Sequence, residues 1–504
     1  MTIGPHSCSS TSARIAVAGR IHGSQIAAAV LLVLAGCASS PLTAVPPSGD
    51  GVELPATWSA TKLHTAGLPD TAAAPLTDWW LRFDDPLLDT LVRRALQANT
   101  SVKTAQAALL QAQALRDEAA AALWPTLGAT ASAQQGTADG HRTGNVVQAG
   151  VSASWVPDVF GAHRSALAAS RATVQASAAS AGDVQGTIAA EVALSYVVLR
   201  SGQARLAIAS DNLASQEETL QITQWRQQAG LATLLDVEQQ RAAVEQTRAL
   251  VPAQQAGIAQ AQHALAVLCG RPPGGLADLL TPPRAVPQDT ADFTPDIPAQ
   301  TLRQRADVRA AEYQVRAAWA RVAQADAARF PGFALGGSLG SSAATLGALT
   351  QGASIVGSLL ASVSLPLFDA GAARAEVRAQ QAAFEQARLA YQAIVLAALQ
   401  DVEDALAALR GDRARLLSLR TAAASAAEAA KLARQQYASG LVDFQTVLLT
   451  QRTQLGTQDS VASANADVSS DQIRLFKALG GGWREDGDLG APTAAAPAAR
   501  TSPP

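Results

Sequence analysis

Asn145-Val146-Val147-Gln148-Ala149-Gly150-Val151-Ser152-Ala153-Ser154-Trp155 alternates between two kinds of side chain. The odd positions Val147, Ala149, Val151, Ala153 and Trp155 are apolar; Gln148, Gly150, Ser152 and Ser154 between them are small or polar. Successive side chains of an extended chain point to opposite faces, so period two with one apolar face predicts a half-buried strand. Three other stretches share the pattern. Leu127, Ala129, Ala131 and Ala133 alternate with Thr126, Gly128, Thr130, Ser132 and Gln134. Phe333, Leu335 and Leu339 alternate with Ala334, Gly336, Ser338 and Gly340, and Ile355, Leu359, Ala361, Val363 and Leu365 stand against Ser358, Ser362 and Ser364. Strands are expected at about 125–136, 145–156, 331–341 and 354–366, joined by loops at Thr137–Gly144 and Ser342–Ala353.

Strands of about 9–12 residues suit a tilted crossing of a bilayer. Trp124, Trp155, Phe330 and Phe368 lie at one end of the hairpins, as an interfacial girdle requires. A pair of soluble hairpins has the same alternation, but here the second face is almost wholly Gly, Ser, Thr, Ala and Gln, which leaves a lumen open. Four strands cannot close a barrel, and lipid leaves open sheet edges unpaired. The chain must therefore oligomerise. Three copies give twelve strands, between the side-chain-filled eight and the channel-forming sixteen; periodicity alone permits a dimer.

The strands belong to two similar halves. Gly161-Ala162-His163-Arg164 recurs as Gly371-Ala372-Ala373-Arg374, an offset of 210 residues (161 to 371). Ala229-Gly230-Leu231 recurs as Ser439-Gly440-Leu441, and Leu268-Cys269-Gly270 as Ala478-Leu479-Gly480, at the same spacing. Between the strands and these glycines runs a seven-residue apolar repeat: Leu167, Val174, Ala181 and Ile188, then Val192, Leu199, Leu206, Leu213 and Leu220. Val377, Phe384 and Tyr391, then Val402, Leu409 and Leu416, mirror it. Such a repeat reads as coiled-coil packing, here over roughly 100 Å of helix at about 1.5 Å per residue. Gly230 and Gly440 are expected to stop these helices. Return helices are expected over 233–268 and 443–478, and leading helices over 86–123 and 302–329. The fold class is mainly α with a transmembrane β-barrel portion. The halves are 85–270 and 302–483, with helical hairpins over 158–268 and 369–478 and a Pro-rich connector at 271–301.

At the N-terminus, Arg14 and Arg20 precede an apolar run, Ile26 to Leu34, then Ala35-Gly36-Cys37. That run is too short for a bilayer core, which needs about 20 helical residues, and reads as an export signal over 1–36. Cys37 after Ala-Gly is a lipidation site, and Ala38 and Ser39, lacking aspartate, point to outer-membrane sorting. Acyl chains anchor at roughly 0.8 kcal/mol per buried methylene without a spanning helix. Residues 37–84 form a lipidated N-terminal segment, and 484–504, rich in Ala and Pro, a disordered tail.

Charged residues are 16% and the formal net charge is −3, with no basic stripe for nucleic acid. Six scattered histidines show no metal-ligand spacing, and no phosphate-cradling Gly-x-x-x-x-Gly-Lys run occurs. The reading is a non-enzyme with no cofactor beyond the lipid on Cys37.

The chain resembles the outer membrane factors, the TolC-like channels, and within them the NodT-type lipoprotein branch. The resemblance covers about 75–483. Its most specific part is Trp79-Trp80, Phe83, Asp85-Pro86, Leu88, Leu91-Val92, Ala95-Leu96 and Asn99. Phe160-Gly161-x-x-Arg164, Arg329-Phe330-Pro331, Pro366-Leu367-Phe368-Asp369-x-Gly371, Val402-Glu403-Asp404-Ala405-Leu406 and Ala478-Leu479-Gly480-Gly481-Gly482-Trp483 add to it. It implies a homotrimer with a twelve-strand barrel and a periplasmic helical tunnel, serving a periplasmic adaptor and an inner-membrane transporter of the RND type, with residues 37–84 joining an equatorial wrap built from the termini and the connector. It further implies that Gly230, Leu231, Gly440 and Leu441 form adaptor-docking tips. Asp236 and Asp443, close to those tips, suit either a ringed constriction or ordinary helix capping. Relatives carry an aspartate where this chain has Leu449, so an acidic ring there is absent. The expected function is a passive exit duct for drugs or other small molecules. A type I protein-secretion duct is the alternative, and a non-conducting coiled-coil adaptor lipoprotein a third reading. Replacing Cys37 with serine is expected to abolish metabolic labelling with palmitate; persistent labelling would refute the lipidation site.

Overall fold

Pro125 and Trp155 bracket the first hairpin, in which β1 (Thr126–Ala138) pairs antiparallel with β2 (Arg142–Trp155). β3 (Gly332–Ala343) and β4 (Ile355–Ser364) form the second, and β2 pairs with β3 to give one sheet of order β1-β2-β3-β4. This computed structural model describes residues 76–138, 142–289, 304–350 and 355–483. The export signal over 1–36, Cys37, the wrap up to residue 75, residues 290–303 of the connector and the 484–504 tail lie outside the described residues.

Register settles which side chains share a face. Leu127 stands opposite Ala153, Val151 opposite Leu339, and Leu335 opposite Ala361, so odd-numbered residues keep one face across all four strands. The even face carries Thr126, Ser152, Ser338 and Ser358, with hydroxyl pairs Thr126–Ser154 at 2.8 Å and Ser338–Ser358 at 2.7 Å. Pairing also reaches into the residues assigned above to loops. Gly136 faces Gly144 and Ala138 faces Arg142 in the first hairpin, while Ser342 and Ala343 continue β3 and Leu346–Thr350 forms a 3₁₀ turn. Alternation marks a strand only where one face is apolar; main-chain pairing continues through Gly, Thr and Gln, which leave no such mark.

Beyond the strands the halves superpose in length. α3 (Ala162–Gln228) and α7 (Ala372–Ala438) each run 67 residues, and α4 (Leu234–Leu268) and α8 (Phe444–Ala478) each return over 35. Gly161 and Gly371, at φ 85° and 89°, turn the chain from sheet to helix, a left-handed conformation that favours glycine. The carboxylates of Asp158 and Asp369 cap these starts: Asp158 accepts from the His163 and Arg164 amides, Asp369 from those of Gly371 and Ala373. Among the described residues no helix is long and apolar enough to cross a membrane.

The leading helix of the first half, expected to be continuous, is two helices. α1 (Pro86–Ala98) and α2 (Thr100–Ala121) meet at Asn99, whose ψ of 136° breaks the helix. Its Oδ1 accepts from the Ser101 and Val102 amides, and its Nδ2 donates to the Leu268 carbonyl at 2.9 Å. Asparagine competes with the backbone for its own amides, and here it caps both a new helix and the end of α4. In the second half α6 (Ala306–Ala327) is unbroken.

The largest core lies at mid-length. Trp79, Trp80, Phe83, Leu88 and Leu91 pack with Tyr196 and Leu199 of α3, Leu265 of α4 and Phe476 of α8. Trp79 stacks on Phe476 with ring centres 5.6 Å apart, and the Tyr196 hydroxyl donates to Asp85 at 2.6 Å. Buried Arg200 lies over the Tyr196 ring and donates to the Pro282 carbonyl, which fastens the connector and its short helix α5 (Ala277–Leu280) to α3. Cys269 is buried beside Leu91, and burial pushes its thiol pKa up, which makes it unreactive. The N-terminal segment, the connector and both hairpins are thus clamped together at mid-length. Asn99→Ala is expected to lower stability by about 1–3 kcal/mol, through a lost cap and an orphaned carbonyl. Asn99→Asp, which keeps only the acceptor, should fall between; an unchanged thermal midpoint in Asn99→Ala would remove Asn99 from this role.

Candidate functional site: the hairpin tips and the water-facing wall

Both tips end in the same device. Gly230 and Gly440 sit at φ 78°, and their amides donate to the Gln227 and Tyr437 carbonyls. The next amides, of Leu231 and Leu441, donate to Arg226 and Gln436 at 2.7 and 2.9 Å. This is the Schellman arrangement, which satisfies helix-end carbonyls through a left-handed residue. Nothing lies within 4 Å of a Cβ built on either glycine, so both tips are open surface, and Leu231 and Leu441 project from them into solvent.

The return helices start with mirrored caps. Thr233 Oγ1 accepts from the Asp236 amide while the Asp236 carboxylate accepts from the Thr233 amide, a reciprocal capping box. In the second half the order is exchanged: Asp443 is the cap, accepting from the amide and hydroxyl of Thr446 at 2.9 and 2.6 Å. These bonds hold the Asp443 carboxyl below its ordinary value of 3.8, the Thr446 hydroxyl contributing most and the amide next. Within one chain, both aspartates act as caps.

The tips differ in what they expose. Trp225, Leu231, Leu234 and Leu235 form an exposed apolar cluster on the first. On the second, Phe444 is buried against Tyr437, Val447, Leu448, Ala243 and Ala433, while Leu449 is exposed. Arg226 joins them, donating to the Tyr437 carbonyl at 3.2 Å with its guanidinium 4.4 Å from that ring's centre. Partial burial pushes the Tyr437 phenol pKa up, and Arg226 opposes the shift.

Above this link the hairpins meet through a polar ladder. Arg205 grips Asp459 at 2.6 and 3.0 Å, Asn212 donates to Gln458, Arg434 to Ser215, and Gln451 to Thr219. The apolar repeat in the sequence does not locate this seam. Past Ala209 the buried positions of α3 are Gln216, Thr219 and Thr223, whereas Leu206, Leu213 and Leu220 are half-buried. The sequence did carry a signal, the polar side chains of Gln216, Thr219 and Thr223 spaced three to four apart, but partners such as Gln451 on Thr219 lie more than two hundred residues away.

At the other end, the sheet presents apolar odd positions and a small, polar even face, with Trp124, Trp155 and Phe368 exposed at the helix-side rim. Phe330 stacks instead on Phe160 at 4.9 Å, joining the two halves beneath the strands. A sheet of this kind set on two long helical hairpins defines a class of membrane duct. Residues 91–271 and 297–481 match the outer membrane efflux protein family, and the chain belongs to it. It is 30% identical over 469 residues to Nodulation protein T of Rhizobium leguminosarum bv. viciae, covering 92% of this chain and 94% of that protein. Outer membrane protein OprJ of Pseudomonas aeruginosa is 31% identical over 472 residues, covering 91% and 96%. Among solved structures, the outer-membrane channel OprN superposes with a TM-score of 0.80 at 32% identity, over 89% of this chain and all of that one. VceC of Vibrio cholerae superposes with a TM-score of 0.75 at 25% identity, over 82% of this chain.

The Asp443 cap gives a pH signature. A carboxyl whose folded pKa is depressed contributes stability that is complete above its unfolded value and lost as pH falls through the folded one. Exchange protection of the Thr446 amide, corrected for intrinsic rate, should therefore decline as pH falls below about 4. Asp443→Asn retains an acceptor that does not titrate, and its protection should stay level; parallel declines would show that the cap is not the titrating group.

Proposed function

We propose that the chain is the outer-membrane exit duct of a tripartite efflux system, a homotrimer that passes small molecules from an inner-membrane transporter of the RND type through a periplasmic adaptor. The observation that carries this reading is the unbroken parity of the sheet. Four strands hold one apolar and one small polar face in register, yet among the described residues the outer edges of β1 and β4 have no partner strand. In lipid those edges need strands, and a sister copy offers β4 to β1 in the same parity. Three copies close twelve strands around the polar face, with the apolar face outward. The kinship with outer membrane efflux proteins supports this placement. Lipid on Cys37 adds an anchor beside the barrel.

The long hairpins then surround a periplasmic passage, and the tips at Gly230, Leu231, Gly440 and Leu441 are the adaptor-docking face. The open surface around both glycines and the apolar cluster on the first tip support that assignment. Asp236 and Asp443, fixed by their caps, line the mouth. No step of this function consumes nucleotide or forms a bond; the duct works by shape and by opening at the tips.

Purified protein reconstituted in planar bilayers is expected to conduct once the tips are opened, for instance by Arg226→Ala. Gly230→Glu and Gly440→Glu should abolish export by the assembled system while trimers still form in the outer membrane. Retained export in both variants would exclude docking at the tips, and a trimer that never conducts would sink the duct.

A further inference from the structure

Large apolar side chains on the even face of the sheet are few. Among the described residues they are Val146 near the hairpin end, and Val356 and Leu360 on β4. Register places Leu360 in a single cross-strand layer with Gly336, Ser154 and Thr126. Val356 lies one even-numbered layer further from the helices than Ser358, level with Gly340, Gly150 and Thr130. Leu360 is 65% exposed and Val356 64%, so neither is buried by its own chain. Beside each, the neighbouring strand offers glycine. A Cβ at Gly336 meets nothing within 4 Å, and Gly150 and Gly340 approach so closely that a Cβ at Gly150 falls 3.2 Å from the Gly340 Cα. Two hydroxyl pairs lie on the same face, Thr126 with Ser154 and Ser338 with Ser358. Each apolar side chain therefore borders a shallow recess where the neighbouring strand carries no side chain.

Resting on the reading of the even face as the water-facing wall, we propose that Leu360, with Val356 beyond it, forms an apolar collar that engages the apolar groups of passing cargo. Leu360 lies at the level of the Trp155 rim, where the strands give way to the helices, so in a closed trimer it is repeated three times around the entrance to the barrel. An apolar side chain in a water-filled lumen is unfavourable until an apolar surface covers it, and a glycine alongside leaves space for that surface. The occupant is a small molecule bearing a compact alkyl or aromatic group, held briefly because one leucine offers little contact. Small polar solutes gain nothing from covering a leucine and pass without retention.

The test is thiol protection in intact cells producing the full chain. Gly336→Cys places a thiol beside Leu360, and buried Cys269 leaves the parent chain as an unreactive control. A membrane-impermeant maleimide should label Cys at 336 and at 360 but not a Leu359→Cys thiol. Tetrabutylammonium should slow labelling of Gly336→Cys about threefold or more, a fraction of the roughly fourfold expected per covered methylene, while tetramethylammonium should not. In the double variant Gly336→Cys/Leu360→Ser the protection should vanish. Labelling of Leu359→Cys in place of the 336 and 360 thiols would mean that the face assignment, and with it the duct geometry, is wrong. Normal labelling with protection that survives Leu360→Ser would overturn the collar and leave the duct intact. Loss of trimers in Leu360→Ser alone would overturn it too, by assigning Leu360 to the seam between copies.

Discussion

The amides and carbonyls along the free edges of β1 and β4 govern what the rest of the molecule can be. A buried or lipid-facing main-chain group without a partner is costly, and among the described residues no further strand pairs with either edge. Completion by sister copies answers the constraint, and it sets the number and spacing of everything below. Each copy delivers two hairpins to the ring, which is why the helices come as equal pairs of 67 and 35 residues.

Between the sheet and the tips, packing changes character. The middle is held by large apolar side chains, Trp79, Trp80, Leu199 and Phe476, sealed by Asp85, Tyr196 and Arg200. Toward the tips, contacts between the hairpins are a small apolar cluster joining Ala243 to Phe444 and Val447, and polar contacts of Gln451 on Thr219, Arg434 on Ser215 and Arg226 on Tyr437. Apolar burial at the waist gives a fixed frame, whereas single hydrogen bonds are worth about 0.5–1.5 kcal/mol each and are replaceable by water. A structure clamped by a large core at its centre and joined by a much smaller one at its end is suited to opening at that end without unfolding.

The even face of the sheet follows the same economy of contacts. Hydroxyl pairs and glycines keep the wall unreactive toward whatever passes, and the few large apolar side chains on it are the places where chemistry can discriminate.

The sequence alone determined the strands, the repeat and the family, because each is written locally: alternation in Asn145–Trp155, glycines at 161 and 371, at 230 and 440, and the Trp79-to-Asn99 signature. It misplaced what depends on distant partners. The break at Asn99 exists because that side chain also reaches the Leu268 carbonyl; closer by, the expected loop residues Thr137 and Ala138 are strand because Thr143 and Arg142 pair with them. The heptad leucines suggested an apolar seam down the whole of α3, yet below Ala209 the buried line is Gln216, Thr219 and Thr223. Only the tertiary structure could decide that, since which side of a long helix is covered is fixed by the helix lying against it. It likewise brought Arg226 to Tyr437 across the two halves, whereas the caps at Asp236 and Asp443, each closed within one helical turn, were already legible in the sequence.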